Sequence, residues 1–343
     1  MYPLRIGIAI IVSTALLLAS CGEDTDRVRL TGSGASFPYP VYATWFKTYG
    51  RENPDVLVNY QAKGSGAGIR DLIHRTVDFA GSDAAMSDSE IAEVDGGVIM
   101  IPITAGKIVV AYNLPGVEQP LHLSRRAYPQ IFLGRITRWN DPAIAVSNPG
   151  IRLPDLPITV VRRADSSGTT YAFTNHLTAA SAEWRSGPGT GKTVVWPDSD
   201  KLIAAPKNDG VTATILQTPG AVGYIEYGYA RFGNVPMAML ENQAGNYVLP
   251  GAQSGRAALL GAELPADLRI WIPDPAGDGA YPIVTYTWLL LRRRYDSGRT
   301  AAALRELVRF CLLDGQALAT ELGYLTLPDS VAERSLAALD ELR

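Results

Sequence analysis

The sequence predicts an α/β fold, because short apolar strands alternate with amphipathic helices along most of the chain. Runs rich in β-branched residues, such as residues 56–60, are too short to be helices and end in turn residues. Segments with helical periodicity lie between these runs, and Gly- and Ser-rich turns follow several of the strands. Such alternation is typical of a parallel sheet whose crossover connections are helices.

The first part of the chain, through residue 105, shows this alternation most clearly. Apolar runs that end in glycine or in polar residues predict strands, and the amphipathic stretches between them predict helices. In chain order these are a strand at 30–36 that runs into a turn, a helix at 41–49, a strand at 56–60, a turn at 64–68, a helix at 69–75 and a strand at 78–83.

The rest of the chain follows the same pattern with longer connections. Dense Gly and Pro predict loops, and the criteria for strands and helices are unchanged. In chain order we predict a strand at 108–113, a mainly helical segment at 121–145, a strand at 160–163, a helix at 169–184, a loop at 187–191, a strand at 221–227, an irregular segment at 241–280, a buried strand at 282–291 and helices at 300–313 and 331–342.

A chain of 343 residues is long for one hydrophobic core, so two domains are expected. The strand at 282–291 and the helices after it fit best as a continuation of the first unit. We therefore predict one lobe from residues 29–105 and 285–343, and a second lobe, inserted into the first, from residues 106–284. The two crossings between the lobes would then form a hinge.

Residues 1–20 have the features of a lipoprotein-type signal peptide. Arg5 precedes an apolar stretch at 6–18, which is short for a membrane span. The following Leu-Ala-Ser-Cys resembles the lipobox of bacterial lipoproteins, in which the cysteine is acylated and becomes the mature N-terminus. Cys21 would then carry the lipid, and residues 21–28 would be a polar tether. An ordinary secretory signal with an incidental cysteine is the alternative, and both place the protein outside the cytoplasm, on a membrane or in the periplasm.

The composition excludes several function classes. Hydrophobic residues make up 47% of the chain and charged residues 19%, which fits a folded globular protein. The formal charge is −3, and residues 1–20 contain one cation and no acid, so removing them leaves −4. Such a protein has no positive field for nucleic acid or for an anionic membrane surface. With Cys21 lipidated, Cys311 has no disulfide partner and is expected to be a small buried hydrophobe.

The segment at 160–170 carries the strongest functional signal, because a β-branched strand delivers an arginine and several hydroxyl groups to the start of a helix. Its polar members are, in order, Arg163, Asp165, Ser167, Gly168 and Thr169. Backbone N–H groups at a helix N-terminus, hydroxyl groups and an arginine fork together form a pocket for an anion. Asp165 would hold one side of the Arg163 guanidinium, or the two residues would form only a surface ion pair.

Two further turns share this design. Ser36 precedes the first predicted helix, and Ser65 lies in a Gly-rich turn before the second. Ligands of open α/β sheets bind outside the carboxyl ends of the strands, where such turns are expected to meet. The simpler interpretation, that each serine or threonine only caps its helix, stays open.

Asp83 ends the short strand at 78–83 and is the carboxylate expected in the pocket. A carboxylate repels an anion unless it accepts a hydrogen bond from that anion. Phosphate near neutral pH still carries a proton, whereas sulfate does not, so Asp83 would select for a protonated oxyanion. The alternative is an aspartate that only caps its loop.

The sequence shows no nucleophile–base pair and no metal cluster or cofactor motif beside this pocket. We therefore predict a binding protein without catalytic residues, metal or cofactor. His74, His122 and His176 lack the spacing of metal ligands. The segment at 187–193 resembles a nucleotide-binding P-loop, but Ser186 stands where the pattern needs glycine, and the flanking strand and helix are not predicted.

These segments resemble the phosphate-binding proteins of the bacterial high-affinity phosphate ABC importer, the PstS family. The matching segments keep the family's order over nearly all of the chain beyond the signal segment, which makes the resemblance specific. They are residues 31–38, 59–61, 64–66, 77–79, 82–83, 133–136, 139–141, 161–169, 208–210, 219–224 and 327–328.

The resemblance implies a type II periplasmic-binding-protein fold, in which two α/β lobes joined by a hinge close on a dehydrated phosphate ion. Carried over by position, the phosphate ligands would be Ser36, Phe37 through its N–H, Ser65, Asp83, Arg163, Ser167, Gly168 through its N–H and Thr169. Asp165 would orient Arg163. The chain departs from the family's pattern where Ser36 replaces a common threonine, Ser166 a frequent glycine and Lys207 a small residue; none of these changes removes a ligand group.

The resemblance also implies partners. The closed protein would deliver inorganic phosphate to membrane permease subunits driven by a separate ATPase, would touch the membrane only through its lipid anchor, and would be a monomer. Three alternatives stay open: a receptor for another oxyanion such as sulfate, molybdate or a phosphonate, a phosphatase-like enzyme that uses Ser167 or Asp165, and a surface sensor or adhesin that keeps the fold.

Overall fold

The computed structural model describes residues 27–260, 262 and 264–343, and the lipobox residue Cys21 lies outside them. The strands are β1 (Val28–Gly34), β2 (Val56–Ala62), β3 (Phe79–Ser82), β4 (Val98–Tyr112), β5 (His122–Leu123), β6 (Thr159–Arg163), β7 (Leu202–Ala205), β8 (Ala221–Glu226), β9 (Met239–Glu241), β10 (Tyr247–Val248) and β11 (Val284–Arg292). Eight of them form one sheet in the order β2-β1-β3-β11-β4-β8-β6-β7, and a small second sheet has the order β10-β9-β5.

The helices connect these strands and pack on the main sheet. They are α1 (Tyr39–Glu52), α2 (Ser65–Ile73), α3 (Asp88–Ala92), α4 (Ala127–Phe132), α5 (Pro142–Ala145), α6 (Gly168–Ala180), α7 (Ala182–Ser186), α8 (Lys207–Gln217), α9 (Tyr227–Phe232), α10 (Ala252–Leu259), α11 (Gly298–Leu312), α12 (Gly315–Glu321) and α13 (Asp329–Leu339). None of these helices combines the length and the apolar character that a bilayer-crossing segment requires. The alternation of these strands and helices confirms the α/β prediction.

The main sheet is mixed, and the parallel arrangement expected from the alternation in residues 29–105 holds for β1, β2 and β3. β1 lies parallel to β2 and β3, and β6 lies parallel to β7 and β8. The central pair breaks this pattern, because β11 is antiparallel to both β3 and β4, and β4 is antiparallel to β8. Hydrophobic runs predict that a strand is buried on both faces, but they do not specify the direction of its neighbours.

β4 is the longest strand and is buried throughout. Residues 98–107 pair with β11, whereas residues 108–112 pair with β8, so this strand changes partner near its middle. The sequence predicted only the second half, because Pro102 and Gly106 look like strand breakers. The register between β4 and β11 shifts beside Pro102, and such a bulge tolerates a residue that lacks an N–H group.

Other differences arise where turn residues lie inside or next to short helices. The segment at 121–145 was predicted to be mainly helical, but it contains only α4, α5 and the short strand β5, separated by turns around Gly134. The turn predicted at 64–68 is instead the first part of α2, which begins at Ser65. The helix predicted at 169–184 is interrupted at Ser181, which ends α6 and caps α7. The elements α3, α8, α10, α12 and β7 were not predicted.

The core is continuous through the sheet and its helices, and Cys311 is buried within it as expected. Among the large side chains, Trp45, Trp139, Trp184 and Trp288 are fully buried. Three of their indole N–H groups donate to backbone carbonyl groups of distant segments, at Gly315, Gly220 and Leu268. These bonds satisfy donors that would otherwise be costly to bury.

Gly34 shows how tightly the strand ends are packed. Its φ is +133°, and a Cβ atom there would lie 2.1 Å from the carbonyl oxygen of Gly81. We expect Gly34→Ala to lower the free energy of unfolding by about 3 kcal/mol or more, because strain and a backbone collision add. Gly96 is the matched control, since its φ is +78° but nothing lies within 4 Å. Gly96→Ala should cost only about 1 kcal/mol in chemical denaturation, and equal losses would contradict the collision argument.

Candidate functional site

The carboxyl ends of β1, β3 and β6 meet the N-termini of α2 and α6 in one buried place. Ser65, the first residue of α2, is the link between them. Its Oγ atom accepts hydrogen bonds from the N–H of Gly168, at 3.0 Å, and from the N–H of Asp83, at 3.2 Å. Two of the three turns predicted to meet, those of Ser65 and Gly168, therefore touch each other and the end of β3 at Asp83.

Arg163 ends β6 and is held on one side by Asp165. Its Nε donates to one carboxylate oxygen of Asp165 at 2.9 Å, and its Nη2 donates to the other at 2.5 Å. Arg163 is only 3% exposed, and its Nη1 atom makes no hydrogen bond with any described residue. A buried charged donor without a partner is costly, so this atom points to an anionic ligand.

Asp165 is thereby kept ionised. Burial by itself would raise the pKa of its carboxyl, but the hydrogen bonds and charge of Arg163 and the N–H of Lys207 lower that pKa below its usual value. The Lys207 N–H donates to Asp165 at 2.8 Å. Lys207 has φ +57°, a conformation that glycine adopts without strain, which gives a physical reason for a small residue at this position.

Asp83 is 1% exposed, and burial raises the pKa of its carboxyl from 3.8 to about 7. Hydrogen bonds and the positive charge of Arg163 oppose that rise. Thr287 of β11 donates its hydroxyl to one oxygen at 2.9 Å, and the Thr169 hydroxyl lies 3.4 Å from the other. One carboxylate oxygen is thus held by the sheet, and the other faces the residues of α6.

The start of α6 is capped by its own serine and lies against α2. Ser167 is the N-cap, and its Oγ accepts the Thr170 N–H at 3.1 Å, so the capping interpretation holds for this serine. Ser166, the residue just before this cap, lies against α2, because the Gly66 N–H donates to the Ser166 carbonyl at 3.0 Å. A Cβ atom at Gly66 would lie 2.2 Å from the Ser166 Oγ, so this approach requires glycine.

Ser36 and Phe37 follow β1 on the other side of the site. Ser36 Oγ accepts two hydrogen bonds from Asn208, one from its backbone N–H and one from its Nδ2, both at 3.1 Å. The Phe37 ring is fully buried and makes an edge contact with Tyr324. Within the described residues, no hydrogen bond uses the Phe37 N–H.

Two residues at this site were not predicted as members, Asn208 and Thr287. Asn208 lies in one of the segments that match the family, at 208–210, but the match assigned it no role in binding. Thr287 had no such signal, because it is one polar residue in an apolar strand. Its relation to Asp83 depends on β11 lying next to β3.

The P-loop-like segment and the buried histidine, neither of which was expected to bind a ligand, have structural roles. Residues 187–193 follow α7 rather than a strand, and Lys192 pairs with Glu90. His176 is buried, bonds to Tyr128 at 2.8 Å, and has a pKa lowered to about 4 by burial. In the part of the chain that the structure describes, no group of three or more His, Cys, Asp or Glu residues could hold a metal ion.

Chemically, the site presents many donors and the carboxylate of Asp83, while the carboxylate of Asp165 is bound to Arg163. Because Ser65 Oγ accepts two N–H donors, its own hydrogen is left to be donated elsewhere. The same holds for Ser36. A pocket with an unpartnered guanidinium N–H, hydroxyl hydrogens and a free backbone N–H suits an oxyanion, and Asp83 is the place where such an anion would have to donate a proton.

Comparisons with known proteins agree with this fold. A model described as the PBP superfamily domain matches residues 19–314. The phosphate-binding protein PstS of Pasteurella multocida is 36% identical over 323 residues, covering 93% of this chain and 92% of that protein. The PstS of Methanocaldococcus jannaschii is 34% identical over 348 residues, covering 94% and 89%.

Solved structures show the same architecture. The periplasmic phosphate-binding protein PfluDING, solved with bound phosphate, superposes with a TM-score of 0.76 at 23% identity, covering 90% of this chain and 93% of that one. A phosphate-binding protein from Stenotrophomonas maltophilia also gives a TM-score of 0.76, at 20% identity and with coverage of 90% and 93%. At these identities the similarity establishes the fold, so the expected periplasmic-binding-protein architecture is confirmed.

Proposed function

The chain belongs to the PstS family of phosphate-binding proteins, and on that basis we propose that it captures inorganic phosphate outside the cytoplasm and delivers it to an ABC importer. One observation carries the proposal. The buried guanidinium of Arg163 has two nitrogen atoms held by Asp165 and a third, Nη1, to which no residue in the described part of the chain bonds. Such a fork is prepared to bind one oxygen of a tetrahedral anion.

The proposed phosphate ligands are the residues predicted from the sequence: Ser36, the Phe37 N–H, Ser65, Asp83, Arg163, Ser167, the Gly168 N–H and Thr169. Their burial supports this assignment, because excluding water strengthens charge-assisted hydrogen bonds. The Gly168 N–H is bonded to Ser65, so phosphate would share or replace that bond. Asp165 supports the site by orienting Arg163.

Capture would proceed by closure of two lobes, residues 29–105 with 285–343 and residues 106–284. The change of partner within β4 supports this division, since its first half pairs with β11 and its second half with β8. The paired segments around Gly106 and Thr285 would be the hinge. The hydrogen bonds that Gly168 donates to Ser65 and that Asn208 donates to Ser36 join the two proposed lobes and would hold the closed form.

We attribute the selectivity of the site for phosphate over sulfate to Asp83. Monohydrogen phosphate can donate its remaining hydrogen to the carboxylate, whereas sulfate would face a repelled and unpaired charge. A receptor for a fully deprotonated oxyanion is therefore the weaker alternative. A phosphatase is also disfavoured, because the Ser167 hydroxyl caps α6 and the buried His176 is bonded to Tyr128 and Pro273.

The location and partners extend the same proposal. Acylation of Cys21 would tether a monomeric protein to a membrane, close to permease subunits powered by a separate ATPase. Labelling cells with a palmitate analogue tests the anchor directly. The full-length protein should carry the label and a Cys21→Ser variant should not; equal labelling of both would exclude Cys21 as the acylation site.

Isothermal titration calorimetry on the phosphate-free protein tests the function. We expect tight binding of phosphate, arsenate affinity within about tenfold of it (about 1.4 kcal/mol), and sulfate affinity at least about 10³-fold weaker. Arsenate shares the shape and the proton of phosphate, whereas sulfate lacks the proton. Absence of phosphate binding would refute the proposal and favour a sensor or adhesin. Turnover of p-nitrophenyl phosphate at enzymatic rates would favour the phosphatase.

A further inference from the structure

We propose that Asn208 is a positioning residue that sets the hydrogen-bond polarity of the site, by forcing the hydroxyl of Ser36 to act as a donor. This inference rests on the proposed function, since it assigns a task within the same anion pocket. Asn208 is fully buried at the start of α8 and contributes no charge. Its backbone N–H, its Oδ1 and its Nδ2 all have hydrogen-bond partners, which show how it is oriented.

The orientation of the Asn208 amide is determined by its surroundings. Its Oδ1 accepts a hydrogen bond from the backbone N–H of Glu226 at 3.0 Å. A backbone N–H can only donate, so the atom that faces Glu226 must be the amide oxygen. The NH₂ group is therefore on the opposite side, and both of its hydrogens point towards the site.

The NH₂ group faces two hydroxyls that belong to the proposed ligand set. Its nitrogen lies 3.1 Å from Ser36 Oγ and 3.4 Å from Thr169 Oγ1. Ser36 Oγ also accepts the backbone N–H of Asn208 at 3.1 Å. A hydroxyl has two acceptor lone pairs and one hydrogen, so Ser36 has no acceptor capacity left and can only donate.

A hydroxyl that can only donate is already oriented to bind an anion. An anion offers acceptors only, apart from the one proton that Asp83 would take, so each hydroxyl must present its hydrogen. A freely rotating hydroxyl presents a lone pair part of the time and must be reordered on binding. In the closed form Asn208 removes that cost, because it already holds the Ser36 hydroxyl in the donor orientation.

Asn208 also makes the orientation of the Ser36 hydroxyl depend on closure of the two lobes. Ser36 follows β1 and Asn208 begins α8, so their bonds cross between the two proposed lobes. In an open form the Ser36 hydroxyl would lose both donors. The hydroxyl would become a committed donor only when α8 approaches, which favours release of the ion when the lobes separate.

A double-mutant cycle with Ser36 tests this inference in the full-length protein, with phosphate affinity measured by calorimetry. Asn208→Ala should weaken phosphate binding by about tenfold when Ser36 is present, in line with one bond to a charged group. On a Ser36→Ala background the same substitution should weaken binding by less than about threefold, because the oriented hydroxyl is gone. A merely structural Asn208 would cause equal losses on both backgrounds, and that result would overturn the inference.

Asn208→Asp is the second variant, because it is nearly isosteric and keeps the acceptor for Glu226. Its other oxygen would accept from Ser36 and reverse the hydroxyl, so we expect a loss larger than that of Asn208→Ala and reduced again on the Ser36→Ala background. An unchanged affinity in Asn208→Asp would contradict the inference. Asn242→Ala is the matched control, since Asn242 is equally buried but bonds to backbone carbonyls at 277, 278 and 280. It should lower stability without changing phosphate affinity.

The outcomes separate the two proposals. If the unsubstituted protein does not bind phosphate, the proposed function fails. If it binds phosphate and both Asn208 variants bind equally well, only the role of Asn208 fails.

Discussion

Replacing Arg163 by alanine is expected to weaken phosphate binding by about 10³-fold. The substitution removes a buried cation that faces the site, and each bond to a charged group contributes about 1.5–3 kcal/mol. It also leaves Asp83 and Asp165 without the positive charge that offsets their own. The loss should apply to every oxyanion, so sulfate binding should weaken too, as calorimetry with both ions would show.

The chain offers a matched control for this prediction. Arg125 forms a comparable two-pronged pair with Asp274, outside the site. Arg125→Ala should lower the melting temperature while phosphate affinity stays within about twofold. Arg163→Lys keeps the charge but not the planar fork, so an intermediate loss is expected. Phosphate affinity retained in Arg163→Ala would eliminate the guanidinium from the binding site.

Replacing Asp83 by asparagine is expected to change selectivity more than affinity. The amide removes the negative charge that repels sulfate and can donate an N–H to it, so the gap between phosphate and sulfate should narrow by at least about tenfold. Phosphate should bind more weakly, because its proton loses a charged acceptor. Asp274→Asn is the control and should leave the ratio of phosphate affinity to sulfate affinity unchanged. A ratio that is also unchanged in Asp83→Asn would refute the proton-acceptor role.

The same substitution should stabilise the phosphate-free protein at alkaline pH. The carboxyl of Asp83 has a pKa of about 7 in the folded protein and 3.8 as an ordinary aspartate, so folding favours its protonated form. Its ionisation therefore reduces the free energy of unfolding as the pH rises from about 4 to 7, and the reduction is constant above that. Asparagine does not ionise and avoids this loss.

Thermal unfolding in phosphate-free buffer measures this effect. Asp83→Asn should melt about 2–4 °C above the unsubstituted protein at pH 8, as a gain of about 1 kcal/mol implies for a chain of this size, and the difference should shrink towards pH 4. A variant that melts lower at pH 8 would show that the ionised carboxylate is not costly in the folded state.

Several parts of the site could be predicted because they depend on local order. Ser36 and Asp83 follow strands, and Arg163 is the last residue of one. Ser65 and Thr169 each lie at the start of a helix. Strand ends and helix N-termini are recognisable from periodicity and turn residues, and parallel neighbours bring their carboxyl ends together. The fold class, the binding turns and the burial of Cys311 were accessible for the same reason.

Other features could not be predicted, because they depend on which elements are neighbours. β11 inserts between β3 and β4 and brings Thr287 to Asp83, although about two hundred residues separate the two. The long strand β4 was half missed because Pro102 and Gly106 act as breakers in isolation, whereas a bulge and a paired strand accommodate them. Helix α8 was missed because Asn208, Asp209 and Gly210 resemble a turn.

The sequence by itself determined which chemical groups are available: an arginine, a carboxylate, several hydroxyls and helix N-termini, carried on an alternating α/β chain. Only the tertiary structure decided how these groups act. Nη1 of Arg163 is the unpartnered donor because Asp165 holds the other two, and the Ser36 hydroxyl can only donate because Asn208 fills both of its lone pairs. The direction of a hydrogen bond depends on the partners in space, and residue order along the chain does not specify those partners.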